Sequence, residues 1–178
     1  MSNARIVTGA AAAVVTACLA IAPAQAQHVA PVTTQLFLTW PGIVGPSTVP
    51  GHVGDIALTS YSAGISVTGG AATGGGAGAG KVTLGQVVVT KAIDKTSPFF
   101  FGSVATGVHT PTATITFTSG RGDTTFYTVT LNDVAVTSMT QSDSLSDIIT
   151  ETLTFSYASI VVRIPSGDVI TLTNPNPT

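Results

Sequence analysis

In the second half of the chain, apolar and hydroxyl side chains alternate one for one. Ala113, Ile115 and Phe117 interleave with Thr114, Thr116 and Thr118, and Leu153, Phe155 and Tyr157 interleave with Thr152, Thr154 and Ser156. A period of two places each set on its own face of a strand, whereas a helix would scatter both sets around its circumference. Thr and Val branch at Cβ, which restricts their rotamers in a helix and suits a pleated surface. These stretches predict strands with one apolar face, which needs a second layer to bury it.

The same pattern extends upstream. Leu36, Leu38 and Trp40 share one face of a first strand beginning at Gln35, and residues 41–54 read as a loop rich in Gly and Pro. Residues 55–67 predict a strand pair or one bent strand, with Ile56 and Leu58 inside. Residues 69–80 contain only Gly, Ala and Thr, a composition that cannot pack a core and predicts a mobile loop. Residues 82–91 follow as a strand. Further on, residues 119–123 turn the chain and 126–131 return. After Asn132-Asp133, where a bulge would reset the inward face, 134–139 continue the strand. Residues 141–147 read as a polar loop, and Pro165-Ser166-Gly167-Asp168 as a tight turn before a last strand at 169–173.

One helix signal interrupts the strands. Ser97 suits a cap, Pro98 the first helical position and Gly107 the left-handed residue that ends a helix. Phe99, Phe100 and Phe101 sit about 100° apart on such a helix, so at least one is predicted to be exposed. Short strands with regular turns and one short helix predict a mainly β sandwich or closed barrel.

Residues 1–26 stand outside this pattern. Arg5 provides a positive start, residues 6–21 are almost unbroken apolar, and Ala24-Gln25-Ala26 forms a small-x-small cleavage site after Pro23. This reads as an export signal cleaved after Ala26; a retained membrane helix would need a longer and more apolar run. A second reading takes Val15-Thr16-Ala17-Cys18 as a lipoprotein signal that anchors the chain through Cys18, but Leu19 to Ala22 stays apolar where a tether turns polar. Cleavage after Ala26 removes Cys18, the only cysteine. The remainder divides into a linker at 27–34, a domain at 35–173 and a tail at 174–178, secreted or periplasmic, with no stable membrane span after cleavage.

Charge narrows the function. Asp, Glu, Lys and Arg make up 8% of the 178 residues, and loss of Arg5 leaves five basic against eight acidic side chains. So few cations cannot form a phosphate-neutralising stripe or a polybasic anchor, which excludes nucleic acid as a partner. Gly75, Gly80 and Lys81 have phosphate-loop spacing, but Val82 replaces the hydroxyl that holds magnesium and a strand follows where a helix is needed. Arg121-Gly122-Asp123 spells an adhesion tripeptide made of ordinary turn residues. His28, His52 and His109 lie far apart, without carboxylates at zinc spacing. Asp143, Asp147 and Glu151 read as solvated charges or a weak calcium patch. No nucleophile elbow exists. No catalytic residue, metal or cofactor follows from the sequence, and a hydrolase ranks below an assembling or binding protein.

Several spaced motifs agree with one family. Phe37-Leu38-Thr39-Trp40 leads to Gly51-His52-Val53-Gly54-Asp55-Ile56, and Gly80-Lys81-Val82 follows the Gly-rich loop. Then come Thr90-Lys91-Ala92-Ile93-Asp94-Lys95-Thr96-Ser97-Pro98, Ala105-Thr106-Gly107-Val108-His109-Thr110-Pro111, Thr130-Leu131-Asn132-Asp133-Val134 and Glu151-Thr152-Leu153-Thr154-Phe155. In this order they resemble the haemolysin-coregulated protein (Hcp) family, the tube protein of type VI secretion, over roughly residues 35–163. The resemblance implies a compact two-sheet β-barrel with one short flanking α-helix. It also implies a homo-hexameric ring, rings stacked into a tube, and a lumen that carries or chaperones secreted effectors. It marks Gly51, His52, Gly54, Asp94, Lys95, Ser97, Pro98, Phe99, Phe100, Phe101, His109 and Pro111 as motif residues and candidate ring contacts. Tube proteins of this family carry no export segment, and they place Lys where this chain has Phe, Ser and Val in the helix and before His109. The alternative to a ring is an exported monomeric β-barrel module that binds a protein or glycan.

Overall fold

The computed structural model describes residues 33–68, 81–120, 124–143 and 149–174. The export segment, the Gly-Ala-Thr loop, Arg121-Gly122-Asp123, His28, Asp147 and the last four residues lie outside the described residues. The elements are β1 (Thr34–Thr39), β2 (Ile56–Leu58), β3 (Ser60–Thr68), β4 (Lys81–Ala92), α1 (Ser97–Thr106), β5 (His109–Ser119), β6 (Thr124–Ser142), β7 (Thr150–Arg163) and β8 (Val169–Thr173).

All strands join one antiparallel sheet in the order β2-β1-β5-β6-β7-β4-β3, with β8 added against β7. The sheet curls back on itself: just past β2, the Thr59 N–H donates to the Thr90 carbonyl of β4 (2.8 Å). The result, among the described residues, is a curled, barrel-like sheet flanked by a single short helix. The alternating apolar residues meet inside it. Leu38, Ile115, Leu131, Val136, Leu153, Phe155 and Tyr157 are buried together with Trp40 and Phe100.

Two sequence expectations for β6 needed adjustment. The inward face does reset at Asn132-Asp133, since Val129 and Leu131 are buried and so are Val134 and Val136. No extra residue enters there. The pairing runs from Asn132↔Ser159 to Val134↔Tyr157 without a shift, and Asp133 turns the strand by adopting φ 50. Asp is among the few non-glycine residues that tolerate this left-handed geometry. The true irregularity of β6 against β7 lies between Val136 and Ser138. In addition, β6 runs on through Ser142, into the expected polar loop.

The helix starts one residue away from the expected cap. Thr96 is the capping residue, and its side chain makes no cap hydrogen bond. Pro98 sits in the first turn and Gly107 closes the helix at φ 63, its N–H donating to the Ser103 carbonyl (2.9 Å). Phe100 points inward, edge-on to Trp40 at 5.4 Å between ring centres, while Phe99 and Phe101 are exposed. No described helix is long and apolar enough to cross a membrane.

Candidate assembly surface

The motif residues separate into three clusters, each held by its own chemistry. The first closes the loop between β1 and β2. His52 is buried and stacks on Phe37, with ring centres 4.2 Å apart and planes within 4°. Its Nδ1 pairs with Asp55 Oδ2 at 2.9 Å, and Thr39 Oγ1 donates to the other carboxylate oxygen at 2.8 Å. Gly51 and Gly54 take φ of 80° and 84°, a region that β-carbons disfavour. Gly45 is required for another reason: a β-carbon there would run into the Asp55 backbone carbonyl. This cluster ties residues 41–54 to β1.

The second cluster anchors α1. Lys91 and Glu151 have no exposed side-chain surface, and they face each other in register across β4 and β7, Nζ to Oε1 at 2.5 Å. Lys91 Nζ also lies 3.0 Å from Asp94 Oδ1 and donates to the Ala92 carbonyl at 3.0 Å. Ser97 Oγ donates to Glu151 Oε1 at 2.9 Å and accepts the Asp94 N–H at 3.1 Å. Gln141 Nε2 reaches the second Glu151 oxygen at 3.3 Å. Burial alone would push the Asp94 carboxyl up. Hydrogen bonds from the Thr96 hydroxyl and N–H, with Lys91 beside them, outweigh it and hold Asp94 below its ordinary value.

Glu151 is therefore no solvated charge or calcium ligand, as its four-residue spacing from Asp147 suggested; it is the buried counter-ion of Lys91. The strand period carried this signal. Lys91 continues the inward series Val87, Val89, and Glu151 begins the inward series Leu153, Phe155, Tyr157. A charge at inward parity must be paired, because an isolated buried ion costs too much. Ser97, expected as a cap, spends its hydroxyl on this ion pair.

The third cluster is exposed. His109 Nδ1 pairs with Asp133 Oδ1 at 2.9 Å, with both side chains at least half exposed. Pro111 lies between the pairs Thr110↔Val134 and Thr112↔Asn132, across from the turned Asp133. Lys95 and Pro98 are exposed on the turn and helix start. Phe99 and Phe101, 44% and 68% exposed, complete the outward side of α1. These residues do not converge on a reacting centre. Among the described residues, no group of three or more His, Cys, Asp or Glu is placed to hold a metal ion.

A groove of about 220 Å³, which nothing in the sequence marked, opens where β4 and β8 part company on β7. Tyr61, Tyr127, Tyr157, Leu84, Ile160 and Leu172 line it. The Tyr157 hydroxyl donates to the Gly85 carbonyl at 2.8 Å. Burial pushes the Tyr61 hydroxyl up to about 12, with Tyr127 and Tyr157 adding to the effect, and burial also raises Tyr157.

The curled sheet and the flanking helix coincide with the fold of a known family. The sequence profile described as "Type VI secretion system effector, Hcp" matches residues 37–163. The chain belongs to the Hcp family. Comparison with curated protein sequences found no match. Among solved structures, Hcp1 from Salmonella typhimurium aligns with TM-score 0.65 and 23% identity, over 78% of this chain and 92% of that one. A further type six secretion system protein aligns with TM-score 0.68 and 21% identity over 79% and 92%. Hcp3, a secreted protein from Pseudomonas aeruginosa, aligns with TM-score 0.63 and 16% identity over 82% and 99%. At these identities the structural likeness shows the fold, while the profile match shows the family. Hcp is a structural, tube-type family of type VI secretion.

Proposed function

We propose that this Hcp chain is a self-assembling ring protein that leaves the cytoplasm through its own N-terminal signal and acts in the periplasm or outside the cell. The observation that carries the ring is the outward side of α1. The helix is fixed in place from below by Phe100 and by the Lys91–Glu151–Ser97 cluster, yet it presents Phe99 and Phe101 to water. A phenylalanine side chain gains about 1.5–3 kcal/mol on burial, and an aromatic patch on a rigid element is a common interface centre. A neighbouring subunit is the partner that family membership suggests. A ring built from one chain brings together two different faces of it, so the contact is head-to-tail. Carriage of secreted effectors through the ring belongs to the same reading.

The test measures the solution mass of the expressed protein by light scattering, images the same peak by negative stain, and determines its N-terminus by mass spectrometry. Six-subunit rings beginning at Gln27 are expected. A monomer across micromolar concentrations overturns the ring in favour of a monomeric binding module. An intact N-terminus overturns the export route.

A further inference from the structure

The chain has three tyrosines, and all three line the groove beside β7. Tyr61 comes from β3, Tyr127 from β6 and Tyr157 from β7, three segments that only the folded sheet brings together. Leu84, Ile160 and Leu172 supply the apolar wall. Phe117 stands edge-on to two of the tyrosines, 5.2 Å from Tyr61 and 5.1 Å from Tyr127 between ring centres, and holds both rings in place.

The three hydroxyls are not used alike. Tyr157 donates to the Gly85 carbonyl at 2.8 Å. The Tyr61 and Tyr127 hydroxyls have no hydrogen-bond partner among the described residues, although a tyrosine withdrawn from water ordinarily finds one. Burial keeps the Tyr61 hydroxyl protonated up to about 12, so at neutral pH it stands ready as a donor. Among the described residues that line the groove, none carries a charge. A charged ligand would lose its hydration there without meeting a counter-ion, which excludes it. Size narrows the choice further. An apolar cavity of about 150 Å³ holds a benzene ring, and this groove, at about 220 Å³, has room for one ring with a short substituent.

We propose that this groove binds a small uncharged molecule made of one aromatic ring bearing a carbonyl oxygen. The ring packs against Leu84, Ile160 and Leu172, and the oxygen accepts a hydrogen bond from Tyr61 or Tyr127. Tyrosine walls favour a flat ring, which offers its edge or face to theirs. Sites in the mouths of β-barrels follow the same division of labour: apolar walls hold the ligand and a few fixed polar groups orient it. The site uses neither α1 nor a contact between copies, so it stands apart from the ring reading.

Because every tyrosine of the chain lies in the groove, fluorine NMR of the full chain labelled with 3-fluorotyrosine reads this site alone. The probes are acetophenone, a phenyl ring with a carbonyl, and ethylbenzene, which has nearly the same shape without the acceptor. Acetophenone should shift the Tyr61 and Tyr127 signals saturably and bind about 2–10-fold more tightly than ethylbenzene, the difference one neutral hydrogen bond makes. Tyr61→Phe combined with Tyr127→Phe, read on the remaining Tyr157 signal, should erase that difference and leave ethylbenzene binding as it was. Leu172→Trp, which fills the groove from its half-buried rim, should abolish binding of both probes. Signals unmoved by acetophenone up to its solubility overturn the proposal, as do equal affinities for the two probes or binding that survives Leu172→Trp. Signals that respond to protein concentration in place of the probe give the groove to a second copy. Magnetisation transfer from the tyrosines to Pro175 or Pro177, without a response to the probe, gives it to the chain's own residues after Asn174. Either of these results also overturns the proposal, and none of them bears on whether rings form.

Discussion

Glu151→Gln is the most informative single substitution. It keeps the shape and hydrogen-bonding reach of the side chain and removes only its charge, so Lys91 stays buried without its counter-ion. Breaking a buried pair from one side costs about 3–5 kcal/mol. The low end applies here, because Asp94 Oδ1 remains 3.0 Å from Lys91 Nζ and the Ala92 carbonyl still accepts a hydrogen bond. For a domain of this size, about 3 kcal/mol corresponds to a fall in the thermal midpoint of roughly 6–12 °C. The chain's single tryptophan provides the assay: Trp40 is buried in contact with Phe100 of the helix and Phe155 of β7, so its fluorescence reports the anchored state. The double variant Lys91→Met with Glu151→Leu removes both charges and should be more stable than Glu151→Gln, because an apolar pair carries no desolvation penalty. A loss within about 0.5 kcal/mol for Glu151→Gln, the range of ordinary surface substitutions, would refute the buried-pair reasoning.

Two further outcomes follow from the packing. Phe100→Ala, which empties the contact beneath the helix, should cost about 3–5 kcal/mol in urea unfolding, whereas the exposed Phe101→Ala should stay within about 0.5 kcal/mol yet weaken assembly. Tyr61 has a folded-state value of about 12 against 10.0 for a free tyrosine, so its neutral form is favoured on folding. Above pH 10 the unfolded chain ionises while the folded chain does not. Stability should therefore be unaffected by this group below pH 10 and fall between 10 and 12, and Tyr61→Phe should reduce that alkaline loss in thermal scans.

Much of the fold was legible in the sequence because its signals are local. Alternation at Ala113–Phe117 and Leu153–Tyr157 needs only the two-residue period of a strand, and all but the half-buried Phe117 of these apolar residues are buried. Pro98 and Gly107 delimit a helix through backbone conformations that each residue favours or tolerates by itself. Three adjacent phenylalanines on a helix cannot share a face, and only Phe100 is buried. The family was legible for a different reason, since its motifs keep their order along the chain.

What remained hidden depends on residues far apart in sequence. Lys91 and Glu151 stand 60 positions apart, and strand parity shows only that each points inward; the register of β4 on β7 makes them counter-ions and draws the Ser97 hydroxyl away from the expected cap. The Tyr61–Tyr127–Tyr157 groove draws on five strands, β3, β4, β6, β7 and β8, and opens where β8 takes over from β4 along β7. Asp133 turns its strand without an added residue, a choice between two backbone solutions that the same dipeptide permits. Local periodicity thus determined which elements form and which way their side chains face. Strand order and register decided which charges are buried together and which side chains meet in the groove, because these depend on pairings between distant parts of the chain.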